Sequence, residues 1–469
     1  MRFGETTFGL TTAEGYQVRI KRNQIEIRIV EKAICLSVAL VMLLAGSAFG
    51  ELGTIDGITG PVFELEAKEG WISTAEGGQV YMWGYGEAGK GMQFPGPTLL
   101  VKQNQTVTIS LTNQGLVENV SIVFPGQQSV TPTCVSGGCV DGLMAKEAPD
   151  GETVKYSFVA ARPGTYTYYS GTHMDLQVEM GLRGTLIVYP EGIGEIPPTP
   201  DAGPHHAYEH ANSAYELEYL QMVSEVDPLI HYQVENGDIE EVNMTTRKPK
   251  YWFINGRTLP DTLFFSNVGW MPTQPYSSLV LAEPGRTLLV RVVGGGLDEQ
   301  PQHYHGENFR IIARDGRIRE SAPGKGPDIG LSRNTLEIQP GQTYDFTWNW
   351  LGQEMGWDIY GHGEAEDCDP SNEDQLEDFE DPNDHCKNVP VTLPEQQFVM
   401  IGGLWSGSFY MGQEGNLPPG EGGLNPWAGF AFPWHNHHEV TLANFDIFPG
   451  GMFTMAIVVP GGTLGLPSP

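Results

Sequence analysis

Residues 94–113 read FPGPTLLVKQNQTVTISLTN. Two short extended runs sit here behind a Pro-Gly-Pro turn. Thr98 to Val101 is a compact apolar run, and Thr106 to Leu111 places Val107, Ile109 and Leu111 on alternate positions. Alternation with a period of two is the mark of a strand with one face buried. Similar runs follow at Ser121 to Phe124, Thr153 to Val159, Gly164 to Tyr169 and Gly184 to Val188, each bounded by turn residues. Short strands at such spacing predict an all-β sandwich or barrel.

The stretch Pro190 to Pro204 (PEGIGEIPPTPDAGP) has no periodicity and is rich in Pro and Gly, as linkers are. Beyond it strands recur at Tyr251 to Ile254, Ser278 to Leu281, Thr287 to Val293, Phe309 to Ala313, Thr343 to Trp350 and Met452 to Val459. The expected organisation is an N-terminal extension and signal peptide over 1–50 and a first domain over 51–190. A linker over 191–212 and a second domain over 213–462 complete it. The second domain is long for one sandwich, so it must carry insertions. One is evident: residues 361–386 hold eleven acidic side chains and no Lys or Arg. Such a segment cannot bury enough apolar area to fold alone. Within it Asp367, Asp369, Ser371, Glu373 and Asp378 fall near the offsets of a calcium loop, with Asn372 where Gly is usual. Calcium is therefore a candidate ligand; a solvated acidic loop is the alternative.

The run Ala33 to Ala45 is continuously apolar, follows Arg28 and Lys32, and precedes Gly46, Ser47 and Ala48. This is the pattern of an export signal, too short for a comfortable membrane span. Export to a periplasm or the cell exterior is the expectation, without stable membrane association after cleavage. Of five cysteines, Cys35 lies in the signal, leaving Cys134, Cys139, Cys368 and Cys386. Four in an exported chain predict two local disulfides, Cys134 with Cys139 and Cys368 with Cys386. A thiolate metal site is the alternative, although the usual two-residue spacing is missing. The net charge of -32 repels phosphate backbones and anionic surfaces, so nucleic acid is excluded as a partner.

Chemistry is concentrated in two His-x-His pairs. His303 and His305 lie in QPQHYHGEN, His435 and His437 in FPWHNHHEV. On a strand, residues i and i+2 share a face, so each pair can offer two imidazoles to one ion. Four such nitrogens suit copper or zinc. His438 has the opposite parity and is not counted. A hydrogen-bonded histidine cluster at the sandwich mouth is the competing reading.

These motifs resemble the multicopper oxidase family. FPGPTLLVKQNQTVTISLTN resembles the family's opening strand pair. PGTYTYYSGTHMDLQVEMGLRGTLIVYP resembles its later strands, including Gln177, Gly181, Leu182 and Gly184. INGRTLPDT, the His303 pair, PGQTYDFTW and the His435 pair ahead of Gly450, Gly451 and Met452 follow the order of its copper-binding last domain. The resemblance implies two cupredoxin-like Greek-key β-sandwich domains, with the acidic insertion in the second. It also implies departures. The family's first-domain histidine positions hold Val123, Pro125, Tyr169 and Gly171, with His173 a nearby substitute. The blue-copper positions hold Gln300, Asn436 and Thr441 in place of His, Cys and His. What survives is His303, His305, His435 and His437, enough for one metal.

The implied function is an exported copper-binding protein, oxidoreductase-related, without the relay through a blue copper, so laccase-type turnover is not expected. Non-catalytic copper storage, or a structural surface role, is the alternative. Some two-domain relatives form trimers, which makes a homo-oligomer a candidate state here.

Overall fold

The computed structural model describes residues 53–350, 409–410 and 429–466. The export signal, the calcium candidates Asp367, Asp369, Glu373 and Asp378, and the pair Cys368 and Cys386 lie outside the described residues.

Two β-sandwiches account for most of the described residues. In the first, a sheet in the order Ile58–Thr59, Leu99–Lys102, Arg183–Tyr189, Gly164–Tyr169 packs on a second sheet. That sheet runs Gln79–Glu87, Val62–Ser73, Thr106–Asn113, Thr153–Val159, Thr131–Cys134. The opening stretch supplies one strand to each: Leu99–Lys102 pairs in parallel with Arg183–Tyr189, and Thr106–Asn113 in parallel with Val62–Ser73. Parallel partners far apart in sequence require crossover connections, here between the two sheets. Val107, Ile109 and Leu111 are all buried between the sheets, as their alternation predicts.

The second sandwich repeats the plan. One sheet runs Tyr251–Ile254, Leu217–Val226, Thr287–Gly294, Thr343–Asn349, Phe309–Arg314, Arg317–Ile318. The other runs Val280–Ala282, Phe453–Val458, Phe430–Asn436, Gln300–Tyr304, Thr335–Ile338. Between them lies an aromatic core that includes Tyr304, Phe309, Phe346, Trp348, Phe432 and Trp434. Tyr304 packs edge-on against both Phe346 and Trp434. Such pairs add to what area burial alone provides.

Two sequence expectations need correction. Ser121 to Phe124 is not a regular strand. It makes isolated bridges, Val120 to Ala148 and Val123 to Tyr169, while the amide of Ile122 donates to the Tyr156 hydroxyl at 3.1 Å. The ladder is broken by that side-chain bond and by the Pro125-Gly126 turn. Likewise Met174–Met180, read with the later strands, is a short helix closed by Gly181 at φ 116°. A Cβ at Gly181 would meet the Trp83 carbonyl at 2.6 Å, so only glycine fits.

The linker is more ordered than its composition predicts. His205–His206 pairs with Ala214–Tyr215, and Tyr208 is buried against the second sandwich. Helix Pro228–Glu235, one of the required insertions, begins with Asp227 accepting from the Leu229 amide and Pro at its first turn. Its Ile230 and Val234 enter the core of the first sandwich. The halves are also joined by buried ions. Arg291 pairs with Glu218 at 2.6 Å and Asp345 at 3.3 Å, and donates to Thr165 Oγ1 at 3.0 Å. Glu218 in turn accepts from the Tyr189 hydroxyl at 2.9 Å. Among the described residues no helix is long and apolar enough to cross a membrane.

Candidate metal centre

Gln300–Tyr304 and Phe430–Asn436 are antiparallel neighbours, and their register sets His303 opposite His435. Along both strands burial alternates. Gln302, Tyr304, Trp434 and Asn436 point into the sandwich, while His303 and His435 take the opposite, partly exposed face. His305 and His437 extend the pattern just past the strand ends. All four imidazoles thus gather on the outer face of one sheet, with ring centroids 4.6 Å apart for His303 and His305 and 5.1 Å for His303 and His437.

The Nε2 atoms of His305 and His435 stand 3.1 Å apart. Two imidazoles each about 2.0–2.1 Å from one ion, at angles from square to tetrahedral, separate their nitrogens by about 2.8–3.4 Å. The pair is therefore at two-ligand spacing, which is also the length of the hydrogen bond the two rings make with each other. The neighbours fix the tautomers. His435 Nδ1 faces the Asn436 carbonyl at 2.9 Å, and a carbonyl only accepts, so Nδ1 carries the hydrogen and Nε2 the lone pair. His303 Nδ1 lies 2.8 Å from Thr335 Oγ1, whose hydroxyl donates to Asn334 Oδ1 at 3.2 Å. This leaves Nε2 of His303 basic as well. Bonds of this kind orient metal-ligating histidines. The fit is incomplete in one respect. Among the described residues, the trio that brings ligand atoms within 4.8 Å of one another is Cys134, Cys139 and Glu152, not three of the histidines. His303 packs edge-on to its neighbours while His435 and His437 stack, so a third and fourth imidazole must turn to reach a shared ion.

Burial favours the neutral form of His303 and His435. Partial burial, then the neighbouring imidazoles His305, His435 and His437, push His303 down to about 4. His435 is lowered by burial, against the opposing influence of the Asn436 carbonyl and the Glu439 carboxylate. Glu307 moves the other way: burial raises its carboxyl to about 7. Thr335 was not legible in the sequence, because it comes from a separate strand and carries no motif.

The remaining ligand positions of the resemblance are filled by other chemistry. Asn436 and Gln300 are buried and bonded to one another, Asn436 Nδ2 donating to Gln300 Oε1 at 2.5 Å. Gln300 Nε2 donates onward to Glu225 at 2.9 Å, and the His438 amide donates to Asn436 Oδ1 at 2.8 Å. Met452 offers its sulfur to Asn436 Nδ2 at 3.3 Å. Thr441 donates to the His438 carbonyl at 2.7 Å. The space is closed by amide hydrogen bonds, and the donor set of a blue copper is missing. In the first sandwich, Val123 and Tyr169 form an isolated antiparallel bridge that presents no imidazole. Gly171 sits so close that a Cβ would stand 2.7 Å from Val123 Cγ1. His173 is bound to Glu118 at 2.8 Å and precedes the short helix without capping it through its side chain, apart from the other histidines.

Paired Greek-key sandwiches with histidines on cross-strand neighbours define a cupredoxin-like protein. Comparison with known proteins narrows the class. A multicopper oxidase family model matches residues 68–192. L-ascorbate oxidase of Brassica rapa subsp. pekinensis is 31% identical over 126 residues, 27% of this chain and 20% of that one. Iron transport multicopper oxidase fetC of Epichloe festucae is 33% identical over 239 residues, 49% of this chain and 31% of that one. The chain thus spans between a fifth and a third of the length of these relatives. Among solved structures, blue copper oxidase from Nitrosomonas europaea superposes with a TM-score of 0.50 at 17% identity, covering 85% of each chain. That likeness speaks for the fold. Residues 68–192 thus match the multicopper oxidase family, and that family implies copper.

Proposed function

We propose that this protein is an exported copper-binding oxidoreductase relative that holds one metal ion on His303, His305, His435 and His437. The observation that carries the reading is the 3.1 Å approach of the His305 and His435 Nε2 atoms from facing strands. Copper so held supplies one-electron chemistry toward oxygen or a small reductant. The chain's own part is to present basic nitrogens, through Thr335 on His303 and the Asn436 carbonyl on His435. A relay through a blue copper has no ligands here, so laccase-type turnover is expected to be low. Zinc on the same nitrogens would serve a non-redox role. The alternative is a copper-storage protein, favoured by the exposed position of His437. A homo-oligomer, trimeric by analogy with two-domain relatives, would cover this face.

The deciding measurement is elemental analysis of the purified protein beside a His303→Ala/His435→Ala variant. One copper per chain in the parent, without intense blue absorption and lost in the variant, is the expected result. No metal in either protein, with both folded, would remove the reading.

A further inference from the structure

A second metal-binding constellation lies far from the histidines in sequence, on the exposed loop CVSGGC of the first sandwich. Cys134 and Cys139 are joined as a disulfide, and the side chains between them are exposed. The surroundings of the two sulfurs differ. Cys134 Sγ receives two backbone amides, from Gly137 at 3.1 Å and from Cys139 at 3.2 Å. A neutral disulfide sulfur is a poor acceptor, so both bonds gain little in the oxidised state. On a thiolate they become charge-assisted, and amides aimed at a sulfur favour its ionised form. Cys139 Sγ instead faces the Thr153 carbonyl at 3.4 Å, which can only accept and so suits a thiol.

The third member is Glu152. Its carboxylate accepts from the Gly138 amide at 2.8 Å and from the Ser136 hydroxyl, which itself accepts from the Thr153 amide at 2.9 Å. These bonds hold the carboxylate against the loop, where one oxygen and both sulfurs lie within 4.8 Å of one another. An ionised carboxylate beside a thiolate is repulsive unless a cation lies between them. We propose that, once its disulfide is reduced, this loop is a redox-gated site for a thiophilic d10 cation, Zn2+ or Cu+, ligated by Cys134, Cys139 and Glu152.

The step balances with a dithiol as reductant. The protein disulfide accepts two electrons and two protons, the dithiol closes to its own disulfide, and the incoming ion displaces protons from the two thiols. Metal–sulfur bonds of about 2.3 Å at a tetrahedral angle put the sulfurs about 3.8 Å apart. Gly137 and Gly138 leave the loop free to open that far. Hard cations are disfavoured because thiolates are soft ligands.

Cadmium is the probe, because its thiolate complexes absorb in the ultraviolet and report sulfur ligation directly. The protein carries His303→Ala/His435→Ala to silence the histidine cluster. It is reduced with a dithiol, freed of it under nitrogen, and titrated beside its oxidised form and a Cys134→Ser/Cys139→Ser variant. The expected result is one more cadmium per chain on reduction, with a thiolate band that the serine variant lacks. Glu152→Gln should keep the thiol count and weaken cadmium by ~10-fold or more. The proposal is overturned if the loop's two thiols never appear in folded protein. It is equally overturned if they appear and the reduced chain binds no more cadmium than the serine variant. An unchanged affinity in Glu152→Gln would remove the carboxylate from the ligand set.

Discussion

Val123 faces Tyr169 in the first sandwich, and His303 faces His435 in the second. Both are antiparallel neighbours at positions where the family resemblance places histidines. One pair presents no imidazole; the other has four imidazoles around it. The contrast teaches that a cross-strand bridge and the side chains it presents are separable. The first sandwich keeps the bridge, with Val123 and Tyr169 exchanging hydrogen bonds of 2.8 and 3.3 Å, while the chemistry on it is gone.

The strongest way to break this contrast is to restore it. Val123→His/Tyr169→His puts two imidazoles on directly opposed positions, whose Cβ atoms in such pairs stand about 4.5–5.5 Å apart. A second copper per chain is expected by elemental analysis, bound more weakly than the first because only two nitrogens hold it. Adding Gly171→His should instead cost stability by about 1–3 kcal/mol in urea denaturation, since its Cβ has no room. Failure of the double variant to take up metal would mean that the first-sandwich backbone itself has changed.

A smaller effect tests the amides that replace the blue copper. Asn436→Leu strips Gln300 and the His438 amide of a partner, so a loss of about 1–3 kcal/mol is expected. Met452→Leu keeps the volume and should cost less than about 1.5 kcal/mol. Equal losses would show that packing, not hydrogen bonding, holds this space.

The smallest effect is a pH dependence of stability that arises beside the histidine pairs. Glu307, raised to about 7 by burial, favours its neutral form. Its contribution is full below the unfolded value near 4.5 and is lost as pH rises through 7. Glu307→Gln should therefore match the parent at pH 4.5 and exceed it by about 1 kcal/mol at pH 8, discounting for partial exposure. His303, lowered to about 4, runs oppositely: its contribution is full above 6.5 and lost as pH falls through 4. His303→Gln should flatten that acid limb in the metal-free protein. At the first-sandwich bridge, Tyr169 is raised by burial above its ordinary value of 10.0, so it adds nothing in this range. Chemical denaturation across pH 4–8 separates these cases.

Much of this was readable beforehand, for identifiable reasons. Alternation placed Val107, Ile109 and Leu111 in the core because strand period depends on local geometry alone. The same parity put His303 with His305 and His435 with His437. What the chain did not reveal was register. That His303 pairs with His435 is decided by how two strands 130 residues apart slide past one another. The absence of blue-copper ligands was legible at Gln300 and Asn436; that they would bond to each other was not. The Met174–Met180 helix was hidden inside a stretch whose neighbours are strands, and its boundary depends on a φ at Gly181 that suits glycine.

Arg291 carries a last consequence. Its guanidinium is sealed between the sandwiches, held by Glu218 and Asp345 of the second and by Thr165 of the first. Removing one partner from a buried pair strands the other charge, and that is costly. Neither half can then melt without disturbing the other, so heating should give one cooperative transition rather than two. A protease that nicked residues 191–204 would leave fragments that elute as a single species: severed in sequence, still one body.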